Sequence, residues 1–155
     1  MTFLTHVLLG GVGGAVNAAL VSRVRLRDRG APLAIFLGVA AGIYVGYGLQ
    51  DGRPSQALLQ LLGALPFIVV AATWPRAVGL LGIAWLAHGV WDGVHELRVV
   101  DTMVPSWYAG ACLGWDVVLG AAAVHWGHAL RGRGAVTSGV SGDVEQADGA
   151  DEARP

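Results

Sequence analysis

Lysine is missing from this chain of 155 residues; its ten basic side chains are all arginine. Charge of either sign is scarce, at 14% of residues, where soluble domains carry roughly 25%. That scarcity excludes an ordinary water-soluble domain. The net charge of -1 averages a basic core against an acidic tail and decides nothing further. No stripe of arginines interleaves with aromatic residues, so the footprint of a nucleic-acid binder is lacking. A single cysteine, Cys112, excludes an internal disulfide and leaves the redox compartment open. The first apolar run has no basic stretch ahead of it and ends in arginines, not in a small-residue cleavage motif. It reads as a retained helix and not as a signal peptide.

Apolar residues make up 54% of the chain and are gathered into runs close to the roughly 20 residues that cross a bilayer as a helix. The pattern predicts an all-α polytopic membrane protein with five transmembrane helices, over 2–22, 32–50, 54–74, 77–96 and 105–129. Residues 1–130 form the membrane domain. Residues 131–155 are rich in Gly, Ser, Ala and acids, bury almost nothing, and read as a disordered tail. Five spans put the termini on opposite sides. Arg23, Arg25, Arg27, Arg29, Arg76, Arg131 and Arg133 then share one side, and Arg53 and Arg98 the other. The positive-inside rule places the N-terminus outside the cell membrane and the tail in the cytoplasm.

Small residues mark where helices can approach. Gly10 and Gly14 form a small-xxx-small pair, and Gly38, Gly42 and Gly46 recur every four residues as a groove for a neighbour. No strand precedes the first glycines, so they are packing residues and not a phosphate loop. Pro66, inside the third run, predicts a kink.

Chemistry concentrates in the fourth run, where H-G-V-W-D-G-V-H-E spans His88 to Glu96. His88, Asp92, His95 and Glu96 fall on one stripe of a helix. Ionisable groups inside an apolar span are costly and mark functional sites by default. Asp116, one turn beyond Cys112 on the fifth helix, lies near mid-membrane. By helical rise, His88 is about 12 Å inside Glu96 and Asp116 about 16 Å inside Pro105, so the two can meet if these helices pack as antiparallel neighbours. Glu96 reads as interfacial, and so do His125 and His128, which point away from Asp116. His6, Tyr44, Tyr47, Trp91, Tyr108 and Cys112 are candidates for the pocket wall, all in the outer half.

Four readings fit. Imidazole and carboxylate one turn apart can converge on a divalent metal such as zinc, iron or manganese, with His88, Asp92, His95 and Asp116 as ligands. His88, Asp92 and Asp116 can instead act as catalytic acid and base on a small or lipophilic ligand. Alternatively the same groups form the proton relay of a small transporter, or only lock helix packing in a non-catalytic scaffold. Membrane lipid is the one partner composition implies; nothing fixes an oligomeric state.

The stretch Gly82 to Glu96, a following loop with Pro105, and C-x-x-x-D from Cys112 to Asp116 together carry an H-x-x-x-W-D-x-x-H... C-x-x-x-D signature. In this the chain resembles a family of small bacterial and fungal integral membrane proteins known only as a domain of unknown function. The resemblance implies a compact all-helical membrane protein and supplies no activity. Position 96 is Glu where the resemblance leads one to expect a histidine, so no ligand role carries over to it.

Overall fold

The computed structural model describes the backbone of residues 2–100 and 103–151, and the side chains of 2–100 and 103–132. Its elements are α1 (Phe3–Ser22), a 3-10 turn (Leu26–Asp28), α2 (Gly30–Gln50), α3 (Pro54–Thr73), α4 (Val78–Glu96) and α5 (Ser106–Asp151). Among the described residues there is no strand. The expected disorder of the tail concerns residues whose side chains lie outside those described.

Local chemistry sets the helix ends. Thr2 caps α1 by accepting from the Thr5 amide, and Pro54 opens α3, where its missing N–H costs nothing. Between α2 and α3 the chain reverses through Gly52, whose φ of 75° is a left-handed conformation open to glycine. Asp51 and Arg53 brace this turn; the Arg53 Nη2 donates to Asp51 Oδ2 at 2.9 Å, beside a second bond from Nε to Oδ1. The hydrogen-bonded guanidinium holds the Asp51 carboxyl below its ordinary value.

Among the described residues four segments are long and apolar enough to cross a membrane: Phe3–Ser22, Leu26–Gln50, Pro54–Thr73 and Ser106–Gly132. α4 is less apolar because it carries His88, Asp92, His95 and Glu96, three of them buried. The outer surface suits hydrocarbon. Leu4, Leu8, Val12, Val16 and Leu20 form an exposed stripe along α1, every fourth residue. Such a stripe is too apolar for a water-facing surface.

Glycines decide which helices touch. A Cβ on Gly10 would lie 1.8 Å from the Ala111 carbonyl oxygen, and one on Gly114 would lie 1.9 Å from that of Val7. Gly14 meets the Trp115 backbone in the same way, so α1 runs parallel to α5 with their backbones in contact. On another face of α5, Gly127 meets Gly79, and Gly82 meets Ala123 and Val124, which makes α4 antiparallel to α5. The Gly10–Gly14 pair thus has its neighbour.

The stripe at Gly38, Gly42 and Gly46 does not: a Cβ at any of the three would meet nothing within 4 Å. α2 instead turns Leu33, Ala34, Leu37, Ala41, Tyr44 and Gly48 inward. Larger side chains bury more area per residue, so the leucine and tyrosine face outcompetes the glycine face for the core. The main core gathers Leu33, Leu37, Leu81, Trp85 and Leu119 from α2, α4 and α5. Trp85 ties two of these helices by donating Nε1–H to the Leu33 carbonyl at 3.2 Å.

Candidate functional site

The site begins with the antiparallel packing of α4 on α5. Gly89 lets the Asp116 Cβ approach to 3.2 Å from where a Cβ of its own would be, so the helix carrying Asp116 seats directly against α4. His88, one residue before Gly89, then places Nδ1 at 2.7 Å from Asp116 Oδ2. Asp92, one turn along α4, lies with Oδ2 at 3.7 Å from the same nitrogen. The relative exposures are 1% for His88, 0% for Asp92 and 1% for Asp116. One ligand-type atom from each of the three lies within 4.8 Å of the other two.

Asp92 and His88 are held from outside the cluster. The Tyr44 hydroxyl on α2 donates to Asp92 Oδ1 at 2.5 Å. Phe67 on α3 lays its ring edge to face against His88, with centroids 4.9 Å apart. Trp85 and Tyr44 close two more sides of the imidazole. His88 Nε2 and Asp92 Oδ2 remain buried without a hydrogen-bond donor or acceptor among the described residues. One carboxyl oxygen of Asp92 lies within 4.8 Å of one of Asp116. Two buried carboxyls this close cannot both carry a free charge cheaply, so the pair favours one bound proton or a cation.

Asp116 also forms part of the wall of a cavity of about 700 Å³ bounded by α1, α2 and α5, with Trp85 of α4. α1 packs on α5 and α2 packs on α3, which leaves this space between α1 and α2. His6, Tyr108 and Cys112 join Asp116 as its other polar wall residues.

His95 is not brought to the cluster. Its Nδ1–H donates to the Trp91 carbonyl at 2.9 Å, which leaves Nε2 to accept from the Gln60 side-chain amide at 2.8 Å. Both nitrogens are therefore engaged with α4 and α3. Trp91 packs on His95 and against Gly63 of α3, and does not line the cavity. Tyr47 stacks edge to face on Tyr108, and Tyr108 in turn on Tyr44, which joins the cavity wall to the Asp92 partner. His125 and His128 are exposed. Glu96 approaches Gly110 near His6, with Oε2 buried and unpartnered.

Two contributors escaped the sequence reading. Gln60 carries a signal, a polar residue in an apolar helix, but only the fold shows that it serves His95. Phe67 carries none, since one phenylalanine in an apolar run resembles any other.

No curated protein and no solved structure matches the chain. The model of the family described as "Family of unknown function (DUF6010)" matches residues 5–129, so the chain belongs to that family.

Proposed function

We propose that His88, Asp92 and Asp116 are a membrane-embedded acid–base centre serving a lipophilic ligand that reaches Asp116 through the cavity between α1 and α2. In this reading all five helices span the membrane, with the N-terminus outside and the tail in the cytoplasm. The observation that carries it is the buried His88 Nδ1–Asp116 Oδ2 contact of 2.7 Å, placed against a largely apolar cavity. An imidazole bonded to a carboxyl can take up a proton at one end and release it at the other. Asp116 is the member that faces the ligand. Asp92, pinned by Tyr44, orients His88 and in this reading shares one proton with Asp116.

The convergence of three donor atoms supports a second reading, a divalent metal held by His88, Asp92 and Asp116. One nitrogen and two oxygens suit zinc, iron or manganese. The metal would polarise a bound oxygen of the ligand. Two ligands on one tetrahedral ion at bonds near 2.0–2.1 Å stand about 3.4 Å apart. The observed 2.7 Å separation is that of a hydrogen bond, so the metal would have to spread this pair. That favours the proton.

One pair of measurements separates the readings. Infrared spectroscopy of the purified chain should show a protonated carboxylic-acid band, shifted in heavy water and lost in Asp116→Asn. Elemental analysis should then find no stoichiometric metal. A missing acid band would refute the acid–base centre. Bound metal that disappears in His88→Ala and Asp92→Ala would establish the alternative.

A further inference from the structure

The cavity differs from a general lipid groove in what lines it. Phe36 from α2, Trp85 from α4, and Trp107, Tyr108 and Trp115 from α5 supply aromatic surface around Asp116. Among the described residues no arginine lines it, and His6 is the only basic side chain on its wall. Behind Asp116 stands a second acid, Asp92, with His88 the single base between them. Two carboxyls that share one proton keep one negative charge between them, and aromatic faces beside that charge attract the same species, a cation whose charge is spread under apolar groups. A small hydrated cation gains little from such walls. A neutral or anionic amphiphile gains nothing from the acid.

The opening fits the same occupant. Leu9, Val39 and Phe36 are exposed and line the space between α1 and α2. By helical rise Asp116 lies about 15 Å along α5 from Ser106, so a ligand reaching it has most of its body among apolar walls. We propose that this cavity binds a lipophilic organic cation, an amine or onium carrying bulky apolar groups, with its charge at Asp116 and its substituents against Phe36 and Trp115. The proposal rests on Asp116 being the group that faces the ligand, as in the acid–base reading above.

The test uses the full chain in nanodiscs and two probes matched in size and shape, tetraphenylphosphonium and tetraphenylborate. Both partition into lipid, so the sign of charge is the variable. Calorimetry should show saturable binding of tetraphenylphosphonium, weakened at least tenfold in Asp116→Asn and about threefold in Phe36→Ala. Tetraphenylborate should show no saturable site. Equal binding of both probes, or tetraphenylphosphonium affinity within twofold of wild type in Asp116→Asn, would overturn the proposal. Should Asp116→Asn not fold, Val39→Trp fills the cavity from the opposite wall without touching the cluster. It should abolish binding, and unchanged binding overturns the proposal. The carboxylic-acid infrared band is recorded on the same samples. A band without phosphonium binding rejects the cation alone, whereas phosphonium binding without the band rejects the acid–base centre alone.

Discussion

His88 and His95 belong to the same stripe of one helix and do different work. Seven residues return a helix almost to the same angle but advance it by about 10 Å, so the two rings meet different neighbours. His88 finds Asp116; His95 finds Gln60 and the Trp91 carbonyl. His95→Leu should therefore lower the thermal midpoint, followed by tryptophan fluorescence, through a loss of about 1–3 kcal/mol for the stranded Gln60 amide. The acid infrared band should survive that change, and its loss would place His95 in the cluster. Tyr44→Phe removes the donor to Asp92 Oδ1. A hydrogen bond to a buried carboxyl contributes about 1.5–3 kcal/mol, so the same melt should show a comparable destabilisation. The turn at Asp51 supplies the pH dependence. Its carboxyl is held below 3.8 by Arg53, so its contribution is complete above that value and lost as pH falls through the lowered one. Asp51→Asn should flatten the acid limb of stability below pH 3.8 and leave the neutral region parallel to wild type.

At the scale of elements, glycine content alone misleads. α1 and α2 both carry glycines at four-residue spacing, yet only those of α1 touch another backbone. The difference lies in the rest of each helix. α1 has no large inward face to compete with Gly10 and Gly14, whereas α2 buries Leu33, Leu37 and Tyr44 on the side away from Gly42. Gly14→Leu must push α1 off α5, and overpacking of this kind costs about 1–3 kcal/mol or more. Gly42→Leu meets open space and should leave the melt within error of wild type. Equal effects at the two positions would contradict the packing described. The positions of the helices themselves were legible, because runs of apolar residues bounded by Asp51–Pro54, Trp74–Arg76 and the Pro105 loop leave little choice of where a helix starts or stops. Pro66 sits within α3 as expected, and the helix continues past it.

Across the whole molecule, parallel α1 and α5 bring the first and last spans together and leave the α2–α3 hairpin to pack against α4. That division creates the cavity, since α1 and α2 each have a partner elsewhere. Under the proposal that all five helices cross the membrane, the ends of the chain face opposite compartments. Reporter fusions should find the tail protected from external protease and an N-terminal tag cleaved by it, in line with the arginines clustered at the α1–α2 and α3–α4 turns. A tail cleaved from outside would invert the proposed orientation and with it the side from which His6 and Tyr108 are reached.

The sequence by itself determined the helices, their approximate ends, and the stripe on which His88, Asp92 and His95 lie. Those follow from hydropathy and the period of 3.6 residues, both local properties of the chain. Only the tertiary structure decided that His88 pairs with Asp116, that His95 turns to Gln60, that Tyr44 holds Asp92, and that the glycines of α2 stay empty. Local periodicity assigns a side chain to a face. Which helix comes to cover that face, and at what depth, depends on how all five compete for the same interior.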